Sequence, residues 1–163
     1  MALRSFIPWP DKRLRTAAEP VGEITDDIRI IWNDMIEVMD AMPGYGLAAP
    51  QIGVMMRLAV VDCSEERGRA IRLADPEILA RSNDTFEWEE ASPNLPGHSA
   101  NVTRPARVTV AFTDEGGNRL RQDFEDLWAT SVQHQIDHLN GKMFFNRISR
   151  TKREMLLKKV RKQ

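Results

Sequence analysis

An α+β fold is what the order of local patterns in this 163-residue sequence predicts. Apolar residues first recur every three or four positions, then alternate with polar ones through the middle, then return to the longer spacing. No repeat, low-complexity linker or shift in composition marks a second domain. A single domain over 1–163 is therefore expected, long enough to bury a real core.

The first helix is predicted over 25–42, "TDDIRIIWNDMIEVMDAM", where Ile28, Ile31, Trp32, Met35, Met39 and Met42 make one apolar face. Thr25 reads as its N-cap, and Asp26 and Asp27 suit the positive end of the helix dipole. "PGYG" stops it, because Pro43 and two glycines oppose helix propagation. "RLAVVD" (57–62) reads as a short apolar strand and "TFEWEE" (85–90) as an alternating one. In "ARVTVAFTD", Val108, Val110 and Phe112 face one way, and Arg107, Thr109 and Thr113 the other. "DEGG" (114–117) is a hairpin turn into "NRLRQDFE", where Leu120 and Phe124 share a face. Residues 125–139 read as a second helix stopped by Asn140 and Gly141, and Thr151 to Val160 as a last, basic one.

Composition narrows the function. Apolar content of 42% and charged content of 29% are those of an ordinary globular protein. A net charge of −1 argues against direct DNA binding through overall positive charge. The one cysteine, Cys63, excludes an internal disulfide framework and suits a reducing compartment. No signal peptide is evident. The longest uncharged run, Ala41 to Met56, is broken by Pro43, Gly44, Gly46, Pro50 and Gly53, so it is not a membrane span. A cytoplasmic location is the expectation.

His134 and His138 stand four apart on the second predicted helix, so both imidazoles share a face and can reach one metal ion. The alternative is two polar residues on a solvated face. Gln133 and Asp137 beside them are natural groups for orienting the imidazoles, or surface residues. In hydrolases with this spacing the residue after the first histidine is a glutamate that takes a proton from metal-bound water. Here it is Gln135. A catalytic metal also needs a third protein ligand and an open position.

"GYGLAAPQIG" (44–53), "EASPNLPG" (90–97) and "QHQIDHLNG" (133–141) occur in the order and at the separations of peptide deformylase, which this chain resembles over nearly its whole length. That family removes the formyl group from the N-terminal formylmethionine of new bacterial proteins. The resemblance implies antiparallel strands packed around a central motif-bearing helix, with N-terminal and C-terminal helices. It implies a divalent iron, zinc or nickel held by two histidines and the cysteine of an E-G-C-L-S motif. It places Gly44, Gly46, Leu47 and Glu90 along the substrate cleft. It also makes Gln51 the side-chain donor to the formyl oxygen, and pairs Glu90 with Arg104.

Lining up the "PG" ends puts Ala91 on the motif glycine, Ser92 on the cysteine, Pro93 on the leucine and Asn94 on the serine. A serine hydroxyl is a far poorer ligand than a thiolate, because its proton is much less acidic. His98, Glu89 and Glu90 are the conceivable substitutes, though His98 also reads as a polar residue in a surface turn. Gln135 keeps the shape of glutamate without its basicity, and general-base catalysis supplies about 10²–10⁴ in rate. The family uses a backbone N–H at the position of Pro93 to stabilise the oxyanion, and proline has none. Losing one such donor costs about 10²–10³. An engineered glutamate-to-glutamine change would explain Gln135 alone and leave Ala91, Ser92 and Pro93 unexplained. Lost or strongly reduced deformylation is therefore expected, with metal absent or weakly bound.

"RTKREMLLKKVRKQ" (150–163) carries seven basic residues against Glu154, with Met155, Leu156 and Val160 on an apolar side. By resemblance such a helix docks on the ribosome near the peptide exit. The other reading is a solvated helix packed on the domain. Three functions fit the whole. The first is a silent homologue that binds nascent-chain N-termini, the ribosome or a protein partner. The second is an active metal-dependent amide hydrolase with altered ligands, and the third is a structural module whose old cleft is filled by side chains. The oligomeric state is not written in the sequence.

Overall fold

The computed structural model describes residues 4–162. Residues 1–3 and 163, at the ends of the expected 1–163 domain and of the basic 150–163 segment, lie outside the described residues. Helix α1 spans Asp26–Ala41, and the Thr25 hydroxyl caps it by accepting the Ile28 N–H at 3.3 Å. Its buried face is Ile28, Trp32, Met35, Val38 and Met39. Ile31 and Met42, expected on that face, are only partly buried.

Seven strands follow: β1 (Gly46–Ala48), β2 (Leu58–Val61), β3 (Ile71–Arg81), β4 (Thr85–Ala91), β5 (Ser99–Pro105), β6 (Arg107–Thr113) and β7 (Arg119–Glu125). Five form an antiparallel sheet in the order β1-β2-β3-β6-β7, while β4 and β5 pair separately as a two-stranded ribbon. Val108, Val110 and Phe112 point into the core, as their alternation predicts. Strand β3 escapes the sequence reading because Asp75 and Pro76 interrupt it. There the register with β6 shifts, Asp75 takes φ of 48°, and its carboxylate accepts the N–H groups of Val21 and Gly22 at 2.9 Å each.

Helix α2 (Asp126–Leu139) runs between the sheet and the ribbon, and every residue from Ala129 to Leu139 is buried. The solvated-face alternative for the two histidines therefore does not hold. Gly141, with φ of 74°, closes the turn after α2, where a Cβ would stand 2.8 Å from the Arg15 backbone, so only glycine fits. Helix α3 (Arg150–Arg161) starts at the Ser149 cap and buries Leu156. Leu157 and Val160 join Leu156 against Phe144 and Phe145, while Met155 is 58% exposed. No helix among the described residues is long and apolar enough to cross a membrane.

Candidate active site

A cavity of about 410 Å³ opens between α2, β4 and the Gly44–Gln51 segment. His134, Gln135, Gln51, Ser92, Pro93, Glu90, Gly44 and Gly46 all line it, so the three sequence motifs meet in space. The open cavity counts against the reading in which side chains fill the old cleft. Leu47, expected along the cleft, is instead fully buried in the core against α1. Strand β1 alternates, and Leu47 takes the face opposite Gly46. His98 is not among the lining residues, whereas Glu89 is, with its carboxylate accepting the Ser99 hydroxyl at 3.0 Å.

Polar side chains on so buried a helix must find partners, and most do. Gln133 donates to the carbonyls of Pro105 and Ala129 at 3.0 and 3.1 Å. Asp137 accepts from Arg104 at 2.9 Å and from Arg147 Nε and Nη2 at 2.9 and 2.5 Å. Neither residue touches an imidazole, which corrects the expectation that they orient the histidines. Their side chains leave the helix about 100° away from those of their histidine neighbours, toward β5 and the C-terminal segment. The group that orients His134 is Glu90, whose Oε1 lies 2.8 Å from Nδ1.

Arg104 closes a bidentate pair on Glu90 at 2.7 and 2.9 Å, and both side chains are almost completely buried. Burial pushes the Glu90 carboxyl up, but the hydrogen bonds from His134 and Arg104 outweigh it and hold the group below the usual range. For Asp137 burial acts in the same upward direction, and the contacts from Arg147 and Arg104 again prevail. Two carboxylates and two guanidiniums thus form one ion network behind the histidines.

The Nε2 atoms of His134 and His138 are 3.1 Å apart. His138 is fully enclosed, and its burial, with His134 and Arg104 nearby, drives its pKa well below the ordinary value, so it is neutral. Its Nδ1 is buried with no partner. A proton there would be an unmet buried donor, costing about 1–3 kcal/mol. A single N–H between the two Nε2 atoms joins the rings. Glu90, as a carboxylate, can only accept, so His134 Nδ1 donates to it.

This geometry tests the metal that the resemblance implies. Two imidazoles on one tetrahedral ion stand roughly 3.3 Å apart, so the separation alone is compatible. The third donor is what is missing. Ser92 supplies a neutral hydroxyl that already donates to Asn94 Oδ1 at 3.0 Å and accepts from Gln51 Nε2 at 3.3 Å. Among the described residues no group of three His, Cys, Asp or Glu side chains is placed to hold an ion. The residues present do not fit an iron, zinc or nickel centre.

Asn94 is the residue the sequence reading passed over. Its Nδ2 donates to Ile7 O at 2.6 Å and Gln51 O at 2.9 Å, and its Oδ1 accepts Gln51 Nε2 at 2.8 Å and the Ser92 hydroxyl. Both N–H groups of the Gln51 amide are consumed by Asn94 and Ser92, and its Oε1 accepts the Ala48 N–H at 2.9 Å. The only signal in the sequence was a four-valent amide standing where the similar motif has a hydroxyl. Gln135 lies against Gly46, where a Cβ would come within 2.5 Å of its Nε2, and its Oε1 is buried without a partner.

The family profile described as polypeptide deformylase matches residues 3–154. The peptide deformylase of Afipia carboxidovorans is 43% identical over 99% of this chain and 96% of its own length. That of Pseudomonas aeruginosa is 39% identical, with 100% and 97% covered. The crystal structure of a peptide deformylase from Legionella pneumophila superimposes with a TM-score of 0.90 at 38% identity, covering 99% of this chain and 95% of that one. The enzyme from Ehrlichia chaffeensis in complex with actinonin gives a TM-score of 0.90 at 34% identity, covering 99% and 98%.

Proposed function

The chain belongs to the polypeptide deformylase family, and from that premise we propose that its cleft receives the N-terminal end of a peptide while formyl removal is lost or strongly reduced. The observation that carries this reading is the engagement of the reacting groups with one another. The histidines hydrogen-bond directly, and the Gln51 amide is spent on Asn94 and Ser92. Gln135 offers no base and Pro93 no N–H. The open cavity, rimmed by Tyr45 and Trp88 with ring centres 6.3 Å apart, leaves room for a chain end. Exposed basic residues of α3 support docking near a ribosomal exit, where such ends emerge, and a cytoplasmic location goes with that proposal.

The second reading is an active amide hydrolase with altered ligands. It is favoured by the relatives, which are named peptide deformylase at about 40% identity along the full chain. One experiment separates the two. Purified protein is assayed for bound iron, zinc and nickel and for turnover of a formyl-methionyl peptide. Turnover reduced by about 10²–10⁴ or more relative to an ordinary deformylase is expected. Stoichiometric metal with ordinary turnover would establish the second reading instead.

A further inference from the structure

We infer that copies of this chain associate head to tail, with the acidic exposed face of α1 on one copy seated against the basic face of α3 on the next. The surfaces involved lie apart from the cleft, and the inference does not depend on what the cleft binds.

Ile30 on α1 and Met155 on α3 are 52% and 58% exposed, the highest values among the large apolar side chains of the described residues. Each sits at the centre of charges of one sign, and the two signs are opposite. Around Ile30, the helical neighbours three before, four after and seven after are Asp27, Asp34 and Glu37. Around Met155 the same three positions hold Lys152, Lys159 and Lys162. Like charges at such spacings repel within a helix, and facing the opposite set relieves both. With a rise of about 1.5 Å per residue on each helix, the two rows have one length and one spacing, so they meet in register.

These charges are mostly unanswered within the chain. Arg4 holds Asp34 at 3.3 Å, but Asp27, Glu37, Lys152, Lys159 and Lys162 make no ion pair among the described residues. Arg29, the one base of α1, is tied to Asp26 at 2.7 Å, and Glu154, the one acid of α3, to Arg150 at 3.0 Å.

Shape agrees with charge. Beside Met155 a cavity of about 260 Å³ opens between α3 and β5, lined by Ala100, Ile148 and Leu156 together with Lys152 and Lys159. It has room for an isoleucine side chain, and Ile30 of the same chain, being exposed, does not fill it. An apolar knob among acids thus matches an apolar hole among lysines, the pattern of an interface centre with a polar rim. Two unlike patches make a heterologous contact, which extends into open chains or closes into a ring. A copy seated on α3 covers the basic surface offered for ribosome docking, so the helix serves one partner at a time.

Sedimentation velocity of the full chain at pH 7, from about 1 µM to about 1 mM, reads the association. Mean mass is expected to rise above the monomer's with concentration at about 0.05 M salt and to fall back at about 0.5 M, where screening is strong. Ile30→Arg and Met155→Glu, both at exposed positions, should each weaken association about tenfold or more, with circular dichroism confirming the fold. Their equimolar mixture should form a heterodimer that grows no further, because each variant keeps the one patch that the other lacks. Wild-type protein that stays monomeric throughout, variants that associate like it, or a mixture no heavier than its components overturns the inference. Monomeric protein that binds a single-stranded RNA oligonucleotide through Met155 and its lysines also overturns it, and assigns that face to nucleic acid.

Discussion

His134 and His138 hydrogen-bond to each other, Nε2 to Nε2 at 3.1 Å, with Glu90 holding the far side of the first ring. Both Nε2 atoms, the ones a metal would need, thus face one another. Glu90 in turn accepts from Arg104, so the two rings, the carboxylate and the guanidinium form one connected set.

Metal content follows from the missing third ligand, because Ser92 offers only a neutral hydroxyl that is already engaged. The protein is expected to carry far less than one iron, zinc or nickel per chain by elemental analysis. The triple variant Ser92→Cys, Gln135→Glu, Pro93→Leu should gain metal, because a thiolate supplies both charge and softness. A folded triple variant that stays empty would show that Ser92 does not stand at the ligand position.

Asn94→Ala removes four side-chain hydrogen bonds that tie the N-terminal segment, the Gln51 turn and the Ser92 turn together. Stability should fall by about 2–4 kcal/mol, since several buried partners are left unmet. Urea unfolding measures it, and a loss below about 1 kcal/mol would mean that water replaces the amide without cost.

Asp62 carries a predictable pH dependence. Burial raises its pKa, but the Ser64 hydroxyl at 2.5 Å, the Ser64 N–H at 2.9 Å and the Arg69 N–H at 3.0 Å outweigh burial and lower it. A carboxyl whose folded pKa is depressed stabilises the protein above its unfolded value, near 3.8, and loses that contribution as pH falls through the folded one. Asp62→Asn should cost about 1–3 kcal/mol at pH 7. The gap to the wild type should shrink below pH of about 4. Denaturant melts at both pH values check it, and a gap that widens on acidification contradicts the assignment.

Cys63 is half-buried between Tyr45 O and Leu127 O, and burial pushes its thiol up to about 12. The thiolate is the reactive species, so alkylation by iodoacetamide at pH 8 should be much slower than for a free thiol. It should become ordinary in denaturant. Fast labelling of the folded protein would place Cys63 in a different environment.

The α+β class, α1 with its Thr25 cap, the β6–β7 hairpin and the shared face of His134 and His138 were legible in the sequence. Each depends on neighbours three, four or two positions apart, and local periodicity records such neighbours. Strand β3 was not, because Asp75 and Pro76 break its alternation and only pairing with β2 and β6 holds it extended. The departures at Ser92, Pro93 and Gln135 were also visible, as residue types against a similar motif. What those residues do was decided by tertiary structure. Glu90 reaches His134 across 44 positions and Asn94 reaches Ile7 across 87, so no local pattern encodes either bond. The sequence by itself determined which residue types stand at the motif positions. Only the fold, by enclosing the remaining ones beside one another, decided that His134 meets His138 and Glu90, and that Gln51 meets Asn94 and Ser92.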